Sequence, residues 1–252
     1  MAGKVTYERI RKIGMIKFNR PNVLNAVNDE LVEDFIEALN KAKNDPESRV
    51  IILKGEGRAF CAGADLKEAV TERTMEQYRN HVIRLQEIGQ IMVAFDKPII
   101  GAIHGYALGA GCEFAVNCDI RIAAEGSQFG FPETSVGASV TTAGTKMLPA
   151  LIGVGRALEL FFTGNRLDAT KAAEWGFVNK VVALEDLDKT AMEMAEKIAN
   201  NFPLALALNR ASVYNGLGAS FEEVLKEEAH AACVSFGSGE RMSGMKKGTT
   251  KK

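Results

Sequence analysis

The most informative stretch of the sequence is Gly105-Tyr-Ala-Leu-Gly-Ala-Gly-Cys-Glu113, and a second motif, Phe129-Gly-Phe-Pro-Glu133, follows it. Five residues of the first stretch are glycine or alanine, and Glu113 stands at the start of a predicted helix. Small residues let a ligand approach the backbone closely. A helix N-terminus also presents free N–H groups to a negative charge. The pattern therefore predicts a backbone cradle for a developing anion, with two glutamates within range.

The composition is that of an ordinary globular protein and excludes several classes of partner. The 252 residues are 46% hydrophobic and 25% charged, which fits one large domain or a domain with an appendage. The 31 basic and 32 acidic residues give a net charge of -1. We therefore expect neither nucleic acid nor an anionic membrane as a partner.

Cysteine and histidine usage argues against a metal site. The four cysteines form no CxxC pair, and the chain has three histidines, so the common zinc spacings are missing. The same spacing argues against a disulfide framework and for reduced thiols. The N-terminus lacks an apolar signal core, and the apolar runs are too short to span a membrane. We predict a cytoplasmic protein that binds no metal.

Hydrophobic periodicity predicts an α/β core followed by helices. Alternating residues over 5–18 predict a β-hairpin, and Asn28 is a candidate N-cap for the helix that follows. We expect 105–111 and 129–133 to form turns. From Leu187 onward the pattern is helical. Further predicted elements are a loop over 55–65, a helix over 74–95, a short helix after Asp168 and strands over 50–53, 98–103, 120–123 and 178–182.

The glycine motifs do not match those of nucleotide-binding loops. Gly109-Ala-Gly111 lacks the third glycine of a dinucleotide fingerprint, and the chain has no GxxxxGK[ST] phosphate loop. The sequence therefore gives little support to nicotinamide or ATP chemistry.

Several motifs resemble signature segments of the enoyl-CoA hydratase/isomerase (crotonase) family. They run in order along the chain: Arg20-Pro-Asn-Val-Leu-Asn-Ala26, Arg58-Ala-Phe-Cys-Ala-Gly-Ala-Asp-Leu66, the two motifs quoted first, and Phe162-Thr-Gly-Asn-Arg-Leu-Asp-Ala169. The resemblance implies the ClpP-like spiral of ββα units over 1–190, with a helical trimerisation region over 191–252. It also implies a homotrimer or a dimer of trimers.

The resemblance implies that an acyl-CoA thioester is held with its carbonyl oxygen between two backbone N–H groups. By position these belong to Ala64 and Ala110. The family usually has glycine at the position of Ala110. Alanine also has a backbone N–H, so the donor is retained if the local φ suits a Cβ. Chemistry at the α-carbon passes through a thioester enolate, and one donor to such an oxyanion is worth about 3–4 kcal/mol.

Glu113 and Glu133 match the two acid/base carboxylates of the family. By analogy, Glu113 positions and deprotonates water, and Glu133 exchanges a proton with the α-carbon. Two neighbouring buried carboxylates rarely ionise together, because like charge and desolvation raise at least one pKa. A proton shared near neutral pH suits general acid/base catalysis.

The chain departs from the family pattern after Glu133. Where the family commonly has a glycine-rich run, this sequence has Val140-Thr-Thr-Ala-Gly-Thr145. The hydroxyl of Thr141 or Thr142 would order water, bind a polar acyl substituent, or cap the next helix. These three alternatives stay open, and they make a substituted or cyclic acyl group a candidate substrate.

The resemblance also places CoA against the first two motifs, near Asn25, Ala26, Ala62, Asp65 and Leu66. Family members often end in a segment that covers the nucleotide, and this chain ends differently, with Lys246 and Lys247 as possible replacements across a subunit boundary. CoA is part of the substrate, so no other cofactor is implied.

The leading hypothesis is reversible syn hydration of a 2-enoyl-CoA. The nearest alternative is an isomerase that moves a β,γ double bond to the α,β position, or another crotonase-type acyl-CoA enzyme that acts through a thioester enolate. The presence of two glutamates favours the hydratase. A non-catalytic RNA-binding or scaffold homologue is a third alternative, against which the near-neutral charge argues.

Overall fold

The computed structural model describes residues 3–70 and 72–249. A six-stranded sheet with the strand order β1-β2-β3-β4-β6-β9 forms its centre, and β5, β7 and β8 form a second, smaller sheet. The strands are β1 (Val5–Ile10), β2 (Ile13–Phe18), β3 (Val50–Gly55), β4 (Ile99–Ile103), β5 (Tyr106–Leu108), β6 (Ile120–Ala124), β7 (Gln128–Gly130), β8 (Arg166–Asp168) and β9 (Lys180–Val182).

The large sheet is buried on both faces. The predicted hairpin is confirmed, because β1 and β2 are antiparallel with Val5 opposite Phe18, and the remaining pairs are parallel. Side chains alternate between two apolar cores, so Ile16 and Leu53 pack on one face while Ile52 packs on the other. Near-continuous apolar strands such as β3 follow from this double burial.

Helices surround the sheets, and their starts agree with the predicted caps. Asn28 accepts a hydrogen bond from the Leu31 amide (3.0 Å), and Asp168 accepts one from the Lys171 amide (2.8 Å). The helices are α1 (Asp29–Asn44), α2 (Leu66–Ala69), α3 (Met75–Val93), α4 (Ala110–Val116), α5 (Gly144–Ile152), α6 (Val154–Thr163), α7 (Ala169–Glu174), α8 (Leu187–Ala199), α9 (Pro203–Gly216), α10 (Phe221–Gly237) and α11 (Glu240–Thr249).

The two predicted turns are wrong in part, because each contains a strand of the small sheet. Tyr106–Leu108 pairs in parallel with Gln128–Gly130, which pairs in antiparallel with Arg166–Asp168. Three-residue strands carry too little periodicity to be seen in a sequence, and their partners lie far along the chain. The small sheet places the start of α4 next to the 3-10 helix Pro132–Val136, and therefore next to Glu133.

The C-terminal helices divide into one that completes the core and three that lie outside it. Helix α8 covers the second face of the large sheet and spans the predicted boundary at residue 190. The division into domains of 1–190 and 191–252 stays a prediction. Arg210 of α9 anchors the outer helices, because its guanidinium donates to the carboxylate of Asp119 (2.9 Å) and to the Met92 carbonyl (2.6 Å). No helix among the described residues is long and apolar enough to cross a lipid bilayer.

Candidate active site

The site begins with the segment Cys61–Ala64, which lies between two neighbouring pieces of backbone. On one side, the Cys61 amide donates to the Tyr106 carbonyl (2.9 Å) and the Leu108 amide donates to the Cys61 carbonyl (3.1 Å). On the other side, the Val27 amide donates to the Gly63 carbonyl (2.8 Å). The segment therefore joins the 20–27 loop to strand β5.

Glycine permits the contact between this segment and helix α4. A Cβ on Gly111 would lie 2.2 Å from the Cys61 carbonyl oxygen, and a Cβ on Gly63 would lie 2.6 Å from the Leu108 carbonyl oxygen. Both distances are well inside van der Waals contact, so a larger residue would push the two segments apart.

Two backbone N–H groups are left without acceptors where these segments meet. Val27 bonds to the residues on either side of Ala64, so the N–H of Ala64 points away from Val27. Ala110 is the first residue of α4, and its N–H therefore has no acceptor within the helix. In the described parts of the chain neither amide has a hydrogen-bond partner. Ala110 does not have a positive φ, so its Cβ fits the helical backbone.

Glu113 is held by backbone amides. Its side chain projects from the first turn of α4, and the residue is 1% exposed. The amides of Thr141 (3.2 Å) and Gly144 (3.3 Å) donate to Oε1, and the Thr142 amide also donates to this oxygen. Burial raises the pKa of Glu113 to about 7, because these amides offset only part of the desolvation of the carboxylate.

Glu133 approaches the same place from the small sheet. It stands in the first turn of the 3-10 helix that follows β7, and its Oε2 is buried without a hydrogen-bond partner among the described residues. A Cβ on Gly109 would lie 3.1 Å from Oε1 of Glu133, so this carboxyl group lies against the start of α4. Burial raises the pKa of Glu133.

The two carboxyl groups interact electrostatically. A charge on Glu133 raises the pKa of Glu113, after the larger effect of burial. Either carboxylate also raises the pKa of the Cys112 thiol, which burial already raises. Desolvation and the like charge of Glu133 therefore both oppose ionisation of Glu113.

The loop that carries the Glu113 amides does not cap the next helix. Ala143, with a φ of 66°, is the N-cap residue of α5, and that helix start has no side-chain cap. The capping alternative for Thr141 and Thr142 is therefore wrong. Thr142 is buried and its hydroxyl has no partner among the described residues. Val140 and Thr141 also line an open cavity of about 810 Å³ between α3, α5 and α9.

The predicted CoA positions lie on the 20–27 loop and the 61–66 segment. Asn25 is fully buried, and its side-chain amide donates to the Ala59 carbonyl (2.8 Å) and to two further carbonyls of the 56–60 loop. A contact between Asn25 and CoA stays a prediction, and in this structure its side chain contributes by holding the loop. Ala26 is buried, and Ala62 is half-buried.

A salt bridge ties these two segments together. Arg20 donates to Asp65 (3.1 Å) and to the Ala26 carbonyl, and Asp65 also accepts from the Lys67 amide at the start of α2. Leu66 is 72% exposed beside it. At the other end of the chain Lys246 is exposed, and the side chain of Lys247 lies outside the described residues.

Three of the four cysteines pack in the core, and Cys233 is exposed. Cys61, Cys112 and Cys118 are buried and unpaired, and burial raises the pKa of the Cys61 thiol to about 12, so it stays protonated. No group of three or more His, Cys, Asp and Glu side chains in the described chain could hold a metal ion.

Sequence reasoning missed two residues that support the site. Arg20 stood in one quoted motif and its partner Asp65 in another, so this pair of opposite charges was a usable signal. Asn117 is fully buried on α4, and its side chain donates to the Thr142 carbonyl (3.0 Å). An isolated asparagine between Val116 and Cys118 gave no signal of that contact.

The chain belongs to the enoyl-CoA hydratase/isomerase family, whose model matches residues 8–251. It is 36% identical to a short-chain-enoyl-CoA hydratase from Clostridium acetobutylicum, over 92% of this chain and 89% of that protein. It is 33% identical to a crotonyl-CoA hydratase from Syntrophomonas wolfei, over 96% and 93%.

The fold is that of the crotonase family. The crystal structure of an enoyl-CoA hydratase from Bacillus anthracis has a TM-score of 0.94 against this chain, with 36% identity over 99% of this chain and 97% of that one. The predicted mixed α/β architecture with a helical C-terminal region is confirmed.

The burial of Glu113 predicts a pH-dependent stability. Its pKa of about 7 in the folded protein lies above the ordinary value of 4.5, so the folded protein retains a proton that the unfolded chain releases between these pH values. This contribution to stability is fully present below about pH 4.5 and is lost as the pH rises through 7. The free energy of unfolding of the wild type, minus that of Glu113→Gln, should fall by up to about 3 kcal/mol over this range.

Urea denaturation at a series of pH values measures this difference. Glu125→Gln, at an exposed position, is the matched control and should follow the wild type. A difference between wild type and Glu113→Gln that stays constant from pH 4.5 to 8 would contradict the prediction.

Proposed function

We propose that the protein is an enoyl-CoA hydratase, which adds water reversibly across the α,β double bond of a 2-enoyl-CoA. The observation that carries the proposal is the electrostatic coupling of buried Glu113 to half-buried Glu133, beside two backbone amides that have no partner among the described residues. The relatives named as enoyl-CoA and crotonyl-CoA hydratases support the same reaction.

The amides of Ala64 and Ala110 would receive the thioester carbonyl oxygen. Addition of a nucleophile to the β-carbon moves the electron pair of the double bond toward that oxygen and forms an enolate. Donors fixed in advance by the backbone stabilise the developing charge without reorganisation, each worth about 3–4 kcal/mol. The N-terminus of α4 adds its favourable dipole at the same point.

The glutamates would handle water and its protons on one face of the double bond. Glu113, in its ionised form, takes a proton from water as the hydroxyl oxygen bonds to the β-carbon. Glu133, in its protonated form, gives its proton to the α-carbon as the enolate collapses. The water molecule is fully accounted for, and proton transfer between the carboxyl groups restores the starting state. Dehydration of the 3-hydroxyacyl-CoA follows the reverse path.

The departures from the family pattern bear on the acyl group. The backbone N–H of Thr141 donates to Glu113, and Thr141 also lines the cavity beside α3. A threonine hydroxyl at the wall of this cavity would bind a polar acyl substituent, which makes a substituted or cyclic acyl group a candidate substrate beside a simple straight chain. The length and substitution of the preferred acyl group can be determined by measuring which acyl-CoA esters the enzyme turns over.

CoA would be the only carrier that the reaction needs, because acid/base groups and amides perform every step. We propose that it lies along Ala26, Ala62, Asp65 and Leu66. We also propose that the protein is cytoplasmic, because its cysteines form no disulfide among the described residues. The assembly that we propose is a homotrimer or a dimer of trimers, because α9, α10 and α6 leave large apolar side chains exposed. These include Val213, Phe221, Phe236, Leu158 and Phe162.

Isotope incorporation separates hydration from isomerisation. If the enzyme is incubated with a 2-enoyl-CoA in ¹⁸O-water, we expect the product to carry one ¹⁸O at the β-carbon. Mass spectrometry of the acyl-CoA measures it. Turnover without label would exclude hydration and leave the isomerase, which moves a double bond without adding oxygen.

Removing either carboxyl group should stop turnover while binding persists. Glu113→Gln and Glu133→Gln keep the size of the side chain and lose its ability to transfer a proton, so kcat should fall by at least about 10²-fold. The Kd for a saturated acyl-CoA should stay within a few-fold of the wild type by titration calorimetry. Glu125→Gln is the control.

Near-normal turnover in either variant would remove that residue from the mechanism. If the wild type itself fails to turn over any of a broad panel of acyl-CoA esters and instead shows salt-sensitive RNA binding, the non-catalytic alternative replaces the proposal.

A further inference from the structure

We propose that Asn117 is a positioning residue for Glu113: by holding the Thr142 carbonyl, it fixes the backbone amides that bind the Glu113 carboxylate. Asn117 lies four residues after Glu113, so both side chains project from the same face of α4. The effect on turnover rests on the proposed function, and the effect on the carboxyl group itself does not.

The position of the held carbonyl in the chain carries the argument. Three amides, those of Thr141, Thr142 and Gly144, donate to Glu113. The Thr142 carbonyl lies between the second and third of these donors along the backbone. The bond from Asn117 (3.0 Å) therefore fixes the point at which the loop turns from one donor to the next.

The backbone at that point needs such support. Ala143 has a φ of 66°, a left-handed conformation that a residue with a Cβ adopts only at an energetic cost. A non-glycine residue stays there only when its surroundings hold it. Helix α3 helps, because a Cβ on Gly89 would lie 3.1 Å from Thr142 Cγ2 and 3.4 Å from Asn117 Nδ2. The absence of a side chain at Gly89 therefore lets α3 pack against both.

Asn117 is also a poor choice for stability alone. It is 0% exposed, and its Oδ1 has no hydrogen-bond partner among the described residues, so half of its amide is buried at a cost. Reversing the amide would place Oδ1 against the Thr142 carbonyl, so the donor role is fixed. A residue that violates a local packing rule in this way is expected near a functional site.

The other groups that act on Glu113 are independent of Asn117. Glu133, after β7, is the titratable group whose charge acts on Glu113, and Cys112 on α4 is a neutral thiol because burial raises its pKa. Helix α3 contributes Gly89 to this contact, and the 141–144 loop contributes neutral residues. A change in the titration of Glu113 on replacing Asn117 therefore reports a change in the hydrogen bonds that the amides of the 141–144 loop donate to Glu113.

The test is the titration of Glu113 in Asn117→Leu. Leucine has nearly the same size and removes one hydrogen bond together with an unpaired acceptor, so the fold should survive. When the amides of the 141–144 loop are held less firmly, their hydrogen bonds stabilise the Glu113 carboxylate less. The pKa of Glu113 should therefore rise by at least about half a pH unit. NMR of protein labelled with ¹³C at glutamate Cδ measures it. The Glu113 signal is the one that is absent in Glu113→Gln.

Two further variants make the outcome decisive. Asn117→Ala, a good helix former without bulk, replaces the leucine variant if that one does not fold. Tyr7→Phe is the control for a general loss of stability, because it removes a hydrogen bond to Asp45 (2.8 Å). Both residues lie far from Glu113 in the sequence, so this variant should leave the Glu113 titration unchanged.

Kinetics give the second readout. In the Asn117 variants the acidic limb of the kcat/KM profile should move to higher pH, and kcat should fall about 10-fold with KM within about twofold. A Glu113 signal that titrates as in the wild type in a folded Asn117 variant would overturn the inference. An enzyme inactive from the start would instead overturn the proposed function, and the NMR titration would still decide the role of Asn117.

Discussion

The close approach of the Cys61–Ala64 backbone to the start of α4 is the contact on which the rest of the site depends. It brings together two amides from distant parts of the chain, and it is possible only because Gly63 and Gly111 have no side chains. The surrounding hydrogen bonds then leave the amides of Ala64 and Ala110 without acceptors in the part of the chain that the structure describes. A negatively charged oxygen placed between them would gain two donors at no cost in reorganisation.

Burial of Glu113 is the second constraint, and the structure meets it with backbone amides. A carboxylate in an apolar core is strongly disfavoured unless donors surround it. The 141–144 loop supplies three such donors, and the loop is in turn held by Asn117 and packed against Gly89. The balance between desolvation and these donors sets a pKa near 7. A group with that pKa can both accept and release a proton at neutral pH.

The sequence predicted what depends on local patterns. The hairpin over 5–18, the cap at Asn28 and the outer helices follow from periodicity and capping residues within short windows. The two glutamates were found from their place in family motifs. The small sheet was missed because β5, β7 and β8 are three residues each and pair across long intervals. Asn117 was missed for the same kind of reason, since its partner, Thr142, lies in another segment.

We propose that the amides of Ala64 and Ala110 bind the thioester carbonyl oxygen, and vibrational spectroscopy of a bound, unreactive ester measures this interaction. A saturated acyl-CoA labelled with ¹³C at the thioester carbonyl can bind but cannot be hydrated, and its carbonyl stretch is identified by the isotope shift. Two strong donors polarise the C=O bond, so we expect its stretching frequency to be lower in the complex than in free solution. The same frequency in both states would contradict it.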